Sequence, residues 1–411
     1  MRVGIIGAGA AGCFCAIQLK RSKPSAEVTV LEANTKPLAK VAVTGGGRCN
    51  FTNSFEGISS VGEAYPRGEM LMKRALKVFS NNDTCDWFER EGVPYVIQED
   101  QCIFPVSQDA MQIVSTLTSL MKRHGVKLVC SSRVRRVTAE DGGFTVFVNG
   151  NDTPMHFDRL VITTGGAPKP TDLEMLDGLD LDMESPVPSL FTFNLTDKTL
   201  RELMGTVVED AALSIPGTQF KSYGPLLITH WGLSGPAALK LSAYAARYLS
   251  EKSYTSPVTV NWMHGYNMDE IRDMLFSFAS EHGQKLVTNI YPKELNSHLW
   301  KYIVTKALGN DDLRWNALGK KGINRLVETL SNDSHTMNGK SRFREEFVTC
   351  GGISLSEISL KTLESKKHPG LYFAGEVLDV DAITGGFNLQ AAWSMGYIVA
   401  ESISCDVSSS F

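Results

Sequence analysis

The first thirty-two residues constrain this chain more than any other stretch. Arg2 to Ile6 read as a short apolar strand, and Gly7-Ala8-Gly9-Ala10-Ala11-Gly12 follow at once. An apolar helical run continues through Leu19, and a second strand, Val28 to Leu31, stops at Glu32. Strand, glycine turn, helix, strand and acid in this order make the dinucleotide-binding fingerprint in its required context. Gly7 permits the tight turn, Gly9 lets backbone approach a pyrophosphate, and Gly12 lets helix pack on strand. Ala10 and Ala11 open the helix, whose first N–H groups lack partners and carry partial positive charge. Glu32 is placed to accept hydrogen bonds from a ribose and to repel a 2′-phosphate.

The chain's 411 residues exceed the usual reach of one hydrophobic core, so two or three domains are expected. A net charge of −4 argues against a nucleic-acid-binding or polybasic membrane surface. Arg133, Arg135 and Arg136 cluster locally, and a solvated strand edge explains them. The eight cysteines include no CxxC pair and no zinc spacing, so a metal site is not expected and a reduced, cytoplasmic protein is. The reading expects neither a signal peptide nor a membrane span.

After Glu32 the chain passes Lys36, Pro37 and Lys40 into Thr44-Gly45-Gly46-Gly47-Arg48-Cys49-Asn50-Phe51-Thr52-Asn53. Three successive glycines maximise the entropy lost on ordering, and make sense where backbone lies against a ligand. Arg48 is expected to face phosphate or a flavin edge. Helices are predicted over 70–80 and 83–91, and a hairpin over 95–104. Ser107 is expected to cap a helix over 109–124. A strand over 126–130 and a meander over 132–137, 144–148 and 155–157 follow, with a turn at 149–152. The apolar strand 159–163 ends in Thr164-Gly165-Gly166; a meander interrupting a doubly wound sheet is the layout of many flavoproteins with two dinucleotide-binding domains, and Thr163 to Gly166 sits where these pass backbone beside adenine and pyrophosphate.

Prolines at 168, 170, 186 and 188 bracket an acidic boundary. Short strand-like runs from Ser189 suggest a β domain, and helical spacing from Met268 to about Leu330 suggests a helical insertion. The boundaries expected are 1–188 with 345–411, then 189–264 with about 335–344, and 265–334. The last segment returns to α/β patterning. Gly370 to Glu376 is a buried strand ending at Gly375-Glu376, and Thr384-Gly385-Gly386-Phe387-Asn388 lead into a helix from Leu389 to Ser402. An acid after a strand can bind ribityl hydroxyls, and a glycine-rich helix start can set N–H groups on an isoalloxazine. The fold class is therefore α/β, a two-ended Rossmann-like FAD-binding domain with an inserted small β domain and an inserted helical subdomain.

With these residues in place, the chain resembles the BaiN/YhiN-like family of bacterial FAD- or NAD(P)-dependent oxidoreductases. Gly7 to Glu32, Gly45 to Asn53, Tyr223 to Leu239 and Gly351 to Tyr397 carry the likeness, which implies an FAD domain built from both ends with inserted β-barrel-like and helical domains. Its most specific parts are the triple-glycine Arg-Cys-Asn run and Gly375-Glu376-Val377-Leu378-Asp379-Val380-Asp381. A related C-terminal motif occurs in fumarate-reductase-like flavoproteins, which reduce activated double bonds. One departure stands out: Gly165-Gly166 continues into Ala167-Pro168-Lys169-Pro170-Thr171-Asp172 instead of a glycine-rich run. The cofactor contacts expected are Gly7, Gly9, Ala10, Ala11, Gly12, Glu32, Lys40, Gly46, Gly47, Arg48, Cys49, Asn50, Val134, Thr164, Gly165, Gly166, Gly375, Glu376, Gly386, Phe387, Asn388 and Leu389.

The reaction expected is hydride transfer between FAD and a small organic molecule, with an activated C=C bond as one possibility. NADH or NADPH is kept open as a transient reductant, since no second fingerprint occurs. His230, in Thr229-His230-Trp231-Gly232-Leu233-Ser234-Gly235-Pro236, is the tempting acid or base, with Ser234 as a helix cap. Cys49 and Tyr223 are lesser catalytic candidates. The alternatives are a single-site NAD-dependent dehydrogenase, a non-enzymatic flavin-binding or interaction protein, and, by fold analogy, a folate- or FAD-dependent tRNA-modifying enzyme, to which the acidic balance lends little support. The sequence leaves the oligomeric state undefined.

Overall fold

A computed structural model describes residues 1–150, 153–340 and 348–405. The chain divides into two compact units, Met1–Pro188 with Glu345–Phe411, and Ser189–Arg344.

The first unit is built on a parallel sheet. From one edge to the other its strands are Leu371–Phe373, Arg159–Ile162, Arg2–Ile6, Glu27–Leu31 and Lys127–Val129. Val3, Ile5, Val30, Leu160, Val161, Leu371 and Phe373 are buried in it, as expected of a sheet covered on both faces. The strand latest in sequence forms one edge, so both ends of the chain build one sheet. The first helix, Ala10–Ser22, crosses the last helix, Phe387–Cys405. Gly396 makes the crossing close: a Cβ there would sit 2.8 Å from the Ala11 carbonyl oxygen. Phe14 joins Phe79, Trp87 and Trp393 in an aromatic core beneath.

Two antiparallel additions hang on this sheet. Val134–Glu140, Gly143–Val148 and Met155–Phe157 form the expected meander; of its predicted turn, residues 151 and 152 lie outside the described residues. Thr52–Asn53, Cys102–Pro105 and Tyr95–Ile97 form a second three-stranded sheet just after the triple glycine.

Some local expectations are corrected. Asp109, not Ser107, caps the helix Ala110–Arg123, accepting from Met111 N–H at 2.8 Å. Asp109 directly precedes the first helical residue and so reaches its free N–H groups. Gly351 and Gly352 lie inside the strand Val348–Ile353, which pairs with Met183–Ser189. At Gly351 (φ 110°) a Cβ would meet the Ser185 carbonyl oxygen at 2.6 Å, so the partner strand's approach needs glycine. The final helix starts at Phe387, two residues before the expected start.

In the second unit, six strands close into a barrel: Phe193–Leu195, Gly232–Ser234, Lys221–Ile228, Val207–Ser214, Thr255–Asn261 and Asp333–Lys340. Three longer helices, Met268–Glu281, Ser297–Leu308 and Gly319–Ser331, intervene between the last two strands. They pack on one another through Leu299, Ile303, Ile323 and Leu326. A buried ionic group ties helix to barrel. Asp333, 2% exposed, accepts from Trp262 Nε1 at 3.0 Å and pairs with Lys306 Nζ at 2.5 Å and His335 Nε2 at 2.9 Å. His335 Nδ1 lies 3.3 Å from Asp197 Oδ2. Ser234 ends a strand, and the helix it was expected to cap starts from Gly235 at φ 87°.

Candidate functional site

The turn after the opening strand is fixed by contact. A Cβ on Gly7 would fall 2.4 Å from the Thr163 carbonyl oxygen, and one on Gly12 would fall 2.1 Å from the Gly7 carbonyl oxygen. Gly9 differs, with no atom within 4 Å of its Cβ position. It is the N-cap of the first helix and supplies no side-chain cap, so the helix start is left to whatever occupies the space before it. Glu32 is 8% exposed and holds the turn from the neighbouring strand. Its Oε2 accepts from Ala8 N–H at 2.8 Å, while its Oε1 accepts from Asn34 N–H and Asn34 Nδ2, each at 2.8 Å.

A cavity of about 290 Å³ opens at this helix start. Of the residues singled out from the sequence, Gly7, Gly9, Ala10, Ala11, Glu32, Lys40, Thr164, Gly165, Gly375, Glu376, Asn388 and Leu389 line it. A second cavity, about 210 Å³, is lined by Val134 and Gly166 and shares Gly7, Glu32, Asn34, Thr164 and Gly165 with the first. The two thus adjoin beside Glu32 and together make one trough. An uncapped helix start, an open glycine and an acid beside them fit a dinucleotide. Gly375, at φ 84°, brings the edge strand's end to within 3.1 Å of Ala11 Cβ, measured from its own Cβ position. Beyond it, Glu376 accepts from Thr349 N–H at 2.8 Å and pairs with Lys40 Nζ at 3.2 Å.

Gly12 lies beneath the trough rather than in its wall. Gly46, Gly47, Arg48, Cys49, Asn50, Gly386 and Phe387 are not in the wall of either cavity; the segment after the glycine loop, 50–53, docks on the start of the last helix. Gly45, Gly46 and Gly47 take left-handed φ values of 58°, 68° and 83°. Asn53 Nδ2 donates to the Gly385 carbonyl at 3.0 Å, Thr52 Oγ1 to Gln390 Oε1 at 2.5 Å, and Trp393 Nε1 to the Phe51 carbonyl at 2.9 Å. A Cβ on Gly386 would lie 2.4 Å from the Thr52 carbonyl oxygen and 2.7 Å from Asn50 Oδ1. Arg48, expected to face phosphate or flavin, lies 4.4 Å over the Phe104 ring, and its Nε donates to the Gly45 carbonyl at 3.2 Å. Cys49 is fully buried, and burial pushes its thiol up to about 12, against a smaller opposing effect of the Thr44 hydrogen bond. A thiol held there is not a thiolate near neutral pH.

The other two catalytic candidates belong to the barrel unit. His230 is exposed on the tight turn Thr229–Gly232, edge-on to Trp231 at 4.3 Å. Tyr223, 54% exposed, stacks on His264 at 5.3 Å near the other end of the same strand. Seven residues at a rise of about 3.3 Å separate them by roughly 20 Å, so both cannot serve one reacting atom.

Thr163, at the strand end, also lines the trough, and its Oγ1 donates to the Gly7 carbonyl at 2.8 Å. Other parts of the trough wall carry no signal in the sequence. Asn34 and Lys36 follow the acid strand without a motif. Asp172 and Met175 come from a 3-10 segment, Pro170–Leu179, that stands where the glycine-rich run was expected. Among the described residues no cluster of three or more His, Cys, Asp or Glu could hold a metal, and no helix is long and apolar enough to cross a membrane.

Comparison with known proteins agrees with this geometry. Residues 1–402 match the family model described as HI0933-like protein Rossmann domain. The chain is 33% identical to a ribosomal RNA dihydrouridine synthase of Haemophilus influenzae over 97% of its own length and 98% of that protein's. It is 30% identical to the Escherichia coli protein of that name, with 97% of each chain covered. A 3-dehydro-bile acid delta(4,6)-reductase of Clostridium scindens is 26% identical, again with 97% of each covered. Among solved structures, 3-ketosteroid delta1-dehydrogenase from Sterolibacterium denitrificans shares the fold with a TM-score of 0.53 at 11% identity, covering 98% of this chain and 99% of that one. With its trough, its two-ended sheet and a match across nearly its whole length, the chain belongs to the HI0933-like family of FAD-binding Rossmann proteins and is a flavin-dependent oxidoreductase.

Proposed function

We propose that this protein reduces a carbon–carbon double bond conjugated to a carbonyl, and that its substrate is a uracil ring in ribosomal RNA. The observation that carries the reading is full-length similarity to relatives whose names share one chemistry. Making dihydrouridine saturates a ring C=C bond next to a carbonyl, and so does a delta(4,6)-reductase acting on a 3-keto ring system. RNA is preferred because the two relatives bearing that name are the more similar, at 33% and 30% against 26%. The earlier expectation of no nucleic-acid partner rested on a net charge of −4, which does not describe any local surface.

The flavin, when bound, supplies the hydride. The chain's own residues supply its seat: the Gly9 helix start for the pyrophosphate, Glu32 for the adenosine ribose, and Glu376 with the Gly385–Asn388 turn toward the ring. NADH or NADPH is proposed as the transient reductant.

The test is anaerobic. Protein reconstituted with FAD is reduced by NADH, NADPH or dithionite, then mixed with a ribosomal RNA transcript free of dihydrouridine or with a 3-keto-4-ene steroid. Flavin reoxidation by the transcript, with a uridine gaining two hydrogens by mass spectrometry, supports the reading. Reoxidation by the steroid alone moves the substrate class. Flavin that stays reduced with both, yet reoxidises in air, rejects the reaction.

A further inference from the structure

Arg48 follows three glycines and is exposed, yet it does not reach into the trough. Its guanidinium lies 4.4 Å over the Phe104 ring, its Nε donates to the Gly45 carbonyl at 3.2 Å, and its Nη1 reaches Gln108 Oε1 at 3.5 Å. Among the described residues no carboxylate pairs with it. Phe104 is buried in the strand Cys102–Pro105, which pairs with Thr52–Asn53 directly after the loop. The same ring bounds Gly45, whose Cβ would lie 3.1 Å from Phe104 Cε1 and 2.9 Å from Asn50 N. Gly46 and Gly47 have no atom within 4 Å of their Cβ positions, so the crest of the arch faces open space while its base is gripped.

We infer that Arg48 is a positioning residue: by stacking on Phe104 and holding the Gly45 carbonyl, it fixes the glycine run that follows Thr44 in the wall of the cofactor trough, and makes no phosphate contact itself. The physical reason is conformational. Three glycines in succession have many backbone states in reach, and a left-handed run of them persists only if its ends are fixed. A planar guanidinium lies flat on a ring while its in-plane N–H groups donate sideways; a tetrahedral ammonium has no flat face to stack and cannot reproduce that geometry. The inference rests on FAD being the cofactor.

The experiment measures FAD release from reconstituted protein by the gain of flavin fluorescence, at low and high salt, for wild type, Arg48→Ala, Arg48→Lys, Phe104→Leu and the Arg48→Ala/Phe104→Leu pair. Arg48→Ala is expected to speed release by on the order of ten-fold, the loss of one charge-assisted hydrogen bond. Arg48→Lys should not rescue it. Phe104→Leu should act alike, and the double variant should be no worse than either, since both remove one grip. The salt dependence of FAD affinity should stay that of wild type, and the visible flavin band should change shape in the same way in both single variants. Gln108→Ala, which leaves the buried ring intact, should move release in the same direction and guards against Phe104→Leu failing to fold. A flatter salt dependence in Arg48→Ala, unchanged release, or additive effects would each overturn the inference while leaving FAD as the cofactor. Wild-type protein that takes up no FAD overturns both.

Discussion

Glu32→Gln isolates what the acid at the end of the second strand does. The carboxylate meets two backbone donors on two oxygens, Ala8 N–H on Oε2 and Asn34 N–H on Oε1, each at 2.8 Å. A carboxamide has one oxygen and one NH₂, so only one of these donors can be satisfied. Ala8 is fully buried whereas the Asn34 bond is part-buried, so the oxygen should turn to Ala8. The Asn34 side chain can flip its own amide to accept, which leaves one backbone N–H facing a donor. That loss costs about 1–3 kcal/mol. Urea unfolding followed by release of flavin fluorescence should therefore show a lower midpoint with an unchanged slope. Glu32→Ala removes every acceptor, and FAD affinity by fluorescence quenching should fall about 10- to 150-fold. If Glu32→Gln unfolds at the wild-type midpoint and Glu32→Ala binds FAD as tightly as wild type, Glu32 neither holds the turn nor meets the ribose, and the reasoning fails.

Three further outcomes are expected. Gly12→Ala forces a Cβ to within 2.1 Å of the Gly7 carbonyl oxygen, so the helix must lift from the strand; a stability loss of about 1–3 kcal/mol or more in urea, with weaker FAD retention, is expected. Cys49 should resist iodoacetamide in native protein at pH 8 and react once urea unfolds it, because burial holds the thiol protonated; peptide mapping that finds native labelling would contradict this. At Asp333 burial opposes ionisation, but the hydrogen bonds and charges of His335 and Lys306 outweigh it and hold the carboxyl below the usual range; Asp197 is held low as well, there by its Leu200 N–H and Tyr302 bonds and by the same two cations, again against burial. Folded values below unfolded ones give stability that is full above about pH 4 and is lost as pH falls through the folded values. Near-UV circular dichroism should show barrel-unit packing weakening from about pH 4 downward, and an acid-insensitive signal would count against the network.

Much of the trough was legible because its parts obey local rules. Gly7, Gly9, Gly12 and Glu32 declare themselves by spacing, since a tight turn, a close approach and an acid at a strand end each demand one residue type. Gly375 and Glu376 were readable for the same reason. The orientation of Arg48 was not, because its partner Phe104 is brought to it by strand pairing across some fifty intervening residues. Asp172 and Met175 were hidden in a 3-10 segment that has no hydrophobic period. Asp333, His335, Lys306 and Asp197 were invisible as a group, since they come from separate elements that only the closed barrel and its helices assemble. Ser107 and Ser234 show the opposite error, in which a plausible capping residue lost to one nearer the helix.

The edge strand Leu371–Phe373 and the helix that follows it carry a consequence for how the protein is made. Emergence from the ribosome is vectorial, so the glycine turn, the first helix and Glu32 are available first. The Gly375–Glu376 wall, the Gly385–Asn388 turn and the helix that crosses Ala11 at Gly396 appear only some 340 residues after Glu32. A nascent chain can therefore form one end of its trough long before it can close the other.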